Sequence, residues 1–112
     1  MDIIVDEVAT GVTRVVLDGR MDIDGATSVD DKFAVIARRR RPVIVDLGEV
    51  TFLASMGIRT LMFCAKALLA DGVKMALYNP RPGVDKVLRT SGVDTVMPVV
   101  ADQVAAMAAV SR

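Results

Sequence analysis

Apolar and polar positions change their period several times along the chain, and each change marks an element. Two short runs rich in β-branched residues, 3–7 and 12–17, flank the small-residue segment Ala9-Thr10-Gly11 and predict a hairpin. The stretch GRMDIDGA, residues 19–26, then reads as a loop with three charges and two glycines. Ala26, Val29, Phe33, Ile36 and Ala37 follow at spacings of three and four, the apolar face of a helix that Asp24 or Thr27 could cap. Pro42 closes that helix, and VIVDL at 43–47 has the continuous apolarity of a strand covered on both faces. EVTFLAS, residues 49–55, reads as the loop leaving it.

From Ser55 onward, Ile58, Leu61, Met62, Ala65, Leu68 and Leu69 form the core stripe of a long helix that Asp71-Gly72 stops. VKMALY at 73–78 is the next strand. Prolines before residue 83 and Gly92 beyond the last apolar position bracket a short helix. TVMPVV at 95–100 reads as a final strand, placed at an edge by Pro98, and an alanine-rich helix near 102–110 ends the chain. Strands alternating with helices predict one α/β domain over residues 1–112. Its sheet is mixed but mostly parallel, begun by an antiparallel hairpin and covered by about four helices.

Composition narrows the function. A length of 112 residues suits one domain, and a hydrophobic content of 53% supplies a full core. Lys+Arg and Asp+Glu number 14 each, so no basic excess exists for nucleic acid or an anionic membrane. The one dense charge run, residues 38–41, follows an amphipathic segment, where cations suit the negative end of a helix dipole. Cys64 is the only cysteine and histidine is absent, which rules out an internal disulfide, cysteine- or histidine-based zinc sites, and Ser–His or Cys–His catalysis. No phosphate-cradling glycine motif occurs and GRMDIDG lacks the length and distal glutamate of an EF-hand, so neither cofactor nor metal is expected. With no general acid/base constellation visible, an enzyme has little support. The acidic start MDIIVDEV lacks the head and core of a signal peptide, and no apolar run is long enough to span a bilayer. A cytoplasmic domain without membrane insertion is the expectation.

Candidate chemistry gathers around Ser55. In an open α/β sheet the functional crevice lies beyond the carboxyl ends of the strands. GRMDIDGA and EVTFLAS both reach it, and if their strands are neighbours, Asp22 and Asp24 come near Ser55. At or beside the N-cap, Ser55 Oγ could accept from the backbone N–H of Gly57 or Ile58, a contact whose loss to alanine typically costs about 1 kcal/mol. The same unpaired N–H groups and dipole also suit a phosphate, although a phosphoserine would be repelled by a nearby Asp22. Both readings of the serine stand. Opposite the core stripe lie Met56, Thr60, Phe63, Ala67 and Ala70, with Arg59 and Lys66 alongside. That face is either a protein interface rimmed by charge or the seat of a neighbouring helix against Phe63. Cys64, mid-helix among apolar residues, is expected to be inert.

VIVDLGEVTFLASMGIRTL resembles the signature of STAS domains, the sulfate-transporter and anti-sigma-factor-antagonist fold: a buried strand ending in D-L, a V-x-F, then D-S-[ST]-G-[LI] opening a helix. GRMDIDGAT and NPRPGVDKVLRTSGVDTVMPV are similar to the family's segments before its first helix and in its tail, so the likeness covers nearly the whole chain. It implies a stand-alone anti-sigma factor antagonist. Such a protein binds an anti-sigma factor with serine kinase activity, is phosphorylated on the first serine of D-S-[ST]-G, and is reset by a PP2C-type phosphatase. Ser55 aligns with that serine, Asp22 with the nearby acid and Gly57 with the motif glycine. Two positions depart: Ala54 stands for the motif aspartate and Met56 for the second Ser/Thr. The expected site is therefore phosphorylation at Ser55 with a partner surface of Asp22, Asp24, Ala54, Met56, Gly57, Arg59, Thr60 and Phe63. The competing expectation is a non-phosphorylated STAS scaffold subunit, such as the small partner of a lipid-transport ABC complex.

Overall fold

The computed structural model describes residues 1–9 and 11–111, so Thr10 of the predicted hairpin turn lies outside the described residues. The elements are β1 (Asp2–Glu7), β2 (Thr13–Met21), α1 (Ile23–Arg38), β3 (Val43–Leu53), α2 (Ser55–Ala70), β4 (Met75–Tyr78), α3 (Pro82–Thr90), a 3-10 turn (Val93–Thr95), β5 (Val99–Val100) and α4 (Gln103–Val110). The five strands form one sheet in sequence order. β1 runs antiparallel to β2, and every later pair is parallel. A mixed sheet led by a hairpin, with four helices, is the architecture the periodicities imply.

Successive residues of β3 feed two cores, because side chains alternate across a strand. Val43, Val45 and Leu47 join Leu17, Met21, Phe33, Leu61, Leu68 and Leu88 in the larger core, which packs α1, α2 and α3 on the sheet. Ile44 turns the other way and joins Val12, Ala76, Tyr78, Ala106 and Val110 beneath α4. Arg14 fastens this second layer: it holds Asp6 with two bonds, of 3.0 and 2.7 Å, and donates to Gln103 Oε1 on α4.

The strands that lead to the site are longer than expected. Residues 19–21 and 49–53, predicted as loop, continue the β2–β3 ladder through register shifts between Val16 and Asp18 and between Gly19 and Arg20. Such bulges bend a strand and re-aim its side chains. Here Val50 and Leu53 stay buried while Glu49, Thr51 and Phe52 face outward. The bulged, mixed-polarity pattern hides a strand from a reading of simple alternation. As a result single residues connect the elements: Asp22 joins β2 to α1, and Ala54 joins β3 to α2.

Two further expectations are corrected. TVMPVV is mostly turn and 3-10 helix, leaving a two-residue edge strand, Val99–Val100, just before which Pro98 O accepts from the Leu77 amide of β4. On α2 the buried arc is Gly57, Thr60, Leu61, Cys64, Ala65 and Leu68. Leu69 is exposed, while Ile58 and Met62 are only half-buried. The helix lies beside α1 on one face of the sheet, and contact with Asp30 of α1 draws Thr60 inside.

Single-residue connections force close approach, and glycine permits it. A Cβ on Gly57 would sit 2.7 Å from Leu53 Cδ1, 2.7 Å from Met21 Cγ and 2.9 Å from the Met21 carbonyl oxygen. The two side chains could shift, but the backbone oxygen is held in the sheet. Gly57→Ala is expected to lower unfolding free energy by roughly 1–3 kcal/mol. Gly83→Ala, with nothing within 4 Å of the added carbon, should be neutral or slightly stabilising in its helix. Chemical denaturation of both variants checks this; equal stability would show that the α2 junction has slack.

Candidate functional site

β2 and β3 end side by side, with Met21 opposite Leu53. The Ala54 amide donates to Met21 O at 3.1 Å, which ties the start of α2 to the end of β2. The next residue, Asp22, caps α1: its Oδ1 accepts from the Gly25 amide at 2.8 Å. That bond holds the Asp22 carboxyl below its ordinary range, with the Arg20 guanidinium, 3.6 Å away, acting in the same direction. Asp22 therefore does what was expected of Asp24 or Thr27. Asp24 lies exposed in the first turn, and Thr27 Oγ1 donates back to Ile23 O.

The capping role expected for Ser55 is also corrected. Ala54 occupies the cap position with extended backbone, φ −109° and ψ 178°, and its carbonyl accepts the first helical bond from Ile58 N. Ser55 is already helical and exposed, one position too far along to reach the orphan amides. With a methyl group at the cap and no acidic residue in the first turn, α2 begins without side-chain neutralisation of its positive end.

Behind Ser55 the predicted stripe divides. Thr60 is 5% exposed and its hydroxyl donates to Asp30 Oδ1 of α1 at 2.5 Å, so it joins the two helices rather than facing outward. Gly57 is likewise buried, and Met56 half-buried. Phe63 is 63% exposed, which rejects its packing against a neighbouring helix. The guanidinium of Arg59 lies over the Phe63 ring, 5.2 Å from its centroid. Between α1 and α2 runs an open groove of about 640 Å³, floored by Phe33, Ala34, Met56, Phe63 and Ala67, with the exposed Arg38 and Arg59 also lining it. The contribution of α1 to this groove was not anticipated. Ala34, the small outward residue between the core positions Phe33 and Ile36, is the signal that could have suggested it.

Cys64 is buried under the same groove, and burial pushes its thiol up to about 12, the inert state expected of it. A second cation–aromatic contact, Arg20 over Phe52 at 4.3 Å, stands at the ends of β2 and β3. Among the described residues no group of three or more His, Cys, Asp or Glu side chains could hold a metal ion, and no helix is long and apolar enough to cross a membrane.

The sequence profile of the family described as "Mlab, STAS domain" matches residues 6–110. The chain belongs to the STAS domain family. It is 28% identical over 100 residues to BtrV of Bordetella bronchiseptica, a provisionally assigned anti-sigma factor antagonist, covering 88% of this chain and 86% of BtrV. Its fold is similar to an anti-sigma factor antagonist from Mycobacterium paratuberculosis, with a TM-score of 0.89 at 21% identity over 99% of this chain and 94% of the other. It is similar too to the Bacillus cell fate determinant SpoIIAA in its phosphorylated form, with a TM-score of 0.72 at 20% identity over 93% and 96% of the two chains.

The Asp22 cap carries a pH signature. Because its folded value lies below the ordinary 3.8, the ionised cap stabilises the fold above that pH and the contribution disappears as pH falls through the folded value. Asp22→Ala should lower the unfolding midpoint at pH 7, with the gap to the wild type narrowing below pH 3.8. Asp22→Asn, still an N-cap residue, should restore most of the neutral-pH stability. Denaturation at several pH values checks this; a gap constant from pH 7 to pH 3 would contradict it.

Proposed function

We propose that this chain is an anti-sigma factor antagonist of a bacterial partner-switching system. It binds an anti-sigma factor with serine kinase activity, is released by phosphorylation of Ser55 and is reset by a PP2C-type phosphatase. The observation that carries the reading is the exposed serine on the first turn of an uncapped helix, two residues past the end of β3. The likeness to BtrV supports the antagonist assignment, and phosphorylated SpoIIAA supplies a precedent for modification on this fold.

Chemistry at this position is simple to state. The γ-phosphoryl group of ATP passes to Ser55 Oγ, ADP departs and the hydroxyl proton is lost. The product gains about −1.5 to −2 charges at neutral pH. In the free protein that charge sits at the positive end of α2. In a complex built on Met56 and Phe63 it would be carried into an apolar contact and desolvated, which is costly even with a cation nearby. Asp22, anchored to the same turn through the Met21–Ala54 bond, adds like-charge repulsion at the contact. Phosphorylation thus weakens docking far more than it weakens the fold. The exposed members of the partner surface are Asp24, Arg59 and Phe63; half-buried Asp22, Ala54 and Met56 border them, and Gly57 and Thr60 act from beneath.

One observation favours a second reading, the non-phosphorylated STAS scaffold subunit of a lipid-transport ABC complex. Ala54 and Met56 replace polar motif residues and make the surroundings of Ser55 apolar. In that case the same helix is a permanent dock. Co-purification from the native host identifies the partner and separates the two: a kinase-type anti-sigma factor supports switching, transporter subunits support the scaffold.

With the partner in hand, ATP should place phosphate on Ser55 in site-resolved mass spectrometry. Ser55→Ala should bind constitutively and Ser55→Asp should bind at least tenfold more weakly. Equal binding of both variants, with no phosphate on Ser55, would overturn the switch. Phe63→Asp should abolish binding because it removes the aromatic ring and carries a carboxylate into an apolar contact, while its unfolding midpoint stays close to the wild type. Unfolding of this variant would return Phe63 to the core and remove the docking surface.

A further inference from the structure

We propose that Arg59 receives the phosphate on Ser55, and that this capture lifts its guanidinium off Phe63 and alters the rim of the α1–α2 groove. The inference deepens the regulation of the site above and rests on Ser55 as the acceptor.

Ser55 and Arg59 are four residues apart on α2, so their Cβ atoms stand about 5–6 Å apart on one face of the helix. An anion four residues before a cation is the favourable order, and a phosphate on Ser55 also complements the positive end of the helix. Both side chains are exposed. Among the described residues Arg59 has no ion pair, and its recorded contact is the stack over Phe63 at 5.2 Å. An exposed cation–aromatic contact is weak. Hydrogen bonds between guanidinium and phosphate are charge-assisted and frequently bidentate, and are therefore stronger. The same guanidinium cannot lie over Phe63 and grip a phosphate a turn away in the opposite direction along the helix. A phosphorylated Ser55 accordingly takes Arg59 from the ring.

Two other cations stand near this end, but Arg20 is already engaged by the Phe52 ring at 4.3 Å and by Asp22 at 3.6 Å, and Arg81 by Gly48 O at 2.9 Å and Glu49 at 3.5 Å. Arg59 has less to give up. Phe63 and Arg59 both line the groove, together with Met56 and Ala67. The modification consequently reaches beyond its own turn: the groove loses a cation at its rim and bares the Phe63 ring. A partner that places an acidic side chain against Arg59 loses that pairing at the same moment that it meets the phosphate.

The test installs phosphoserine at position 55 during translation, so that it needs no kinase and stays informative if none acts on Ser55 in the host. The phosphorus resonance followed against pH gives the second ionisation of the phosphate, ordinarily near pH 6. It should be depressed in the otherwise wild-type chain and return toward its ordinary value in Arg59→Gln, and much less so in Arg20→Gln. In parallel, the side-chain protons of Arg59, shifted by the Phe63 ring current in the unmodified protein, should lose that shift on phosphorylation. A phosphate ionisation insensitive to Arg59→Gln, or an Arg59 signal unmoved by the phosphate, would overturn the proposal. So would a larger response to Arg20→Gln. Failure of a host kinase to modify Ser55 would instead bear on the partner-switching reading alone.

Discussion

The carbonyl oxygen of Met21 is the point around which the site is organised. The Ala54 amide bonds it at 3.1 Å, and the backbone of Gly57 passes so close that a methyl group there would approach it to 2.9 Å. One residue earlier, the Arg20 carbonyl leaves even less room, since a Cβ on Gly25 would lie 2.0 Å away. Two helices therefore begin against the last two peptide groups of one strand, and glycine is what both starts require. This packing leaves a single residue to turn each corner. At one corner it is Asp22, whose carboxylate caps the helix; at the other it is Ala54, which cannot. The asymmetry is what leaves Ser55 exposed beside an uncapped helix end.

Rigidity behind that corner comes from the contact between α1 and α2. The Thr60–Asp30 hydrogen bond joins them, Phe33 and Leu61 pack beneath, and among the described residues no buried side-chain polar atom lacks a partner. Beyond that bond both helices line the open groove that holds Phe63. The opposite face of the sheet is given to α4 and the Arg14–Asp6–Gln103 cluster, away from the site. Structure is thus concentrated on one side of Ser55 and open surface on the other, the arrangement that the proposed docking module switched by charge would need.

Most of the fold was legible because its signals are local. Periods of three and four in 26–37 and 58–69, the Asp71-Gly72 stop and the proline-then-glycine bracket around α3 each mark a helix, although the buried arc of α2 is rotated from the predicted stripe. The bulged ends of β2 and β3 were not legible, because their pairing depends on register shifts that only the neighbouring strand determines. For the same reason the cap fell on Asp22 instead of Asp24, and Ser55 lost its capping role once β3 was found to run to Leu53. Within the site, the exposure of Ser55 followed from its place at a strand–helix junction, whereas the helical pattern left Phe63 open between an interface and a buried contact. The inward turn of Thr60 did not, since its partner Asp30 lies thirty residues away in sequence. The groove was missed because α1 was read only for the face it buries.

The most direct test of the account is the phosphorylation state of the endogenous protein in its own host. The protein is recovered with phosphatases inhibited, and both the free pool and the partner-bound pool are mapped by mass spectrometry. A charge switch at an exposed α2 terminus predicts one phosphate, on Ser55, in the free pool and its absence from the complex. Unmodified Ser55 in both pools, or phosphate on Ser55 within the intact complex, would contradict it.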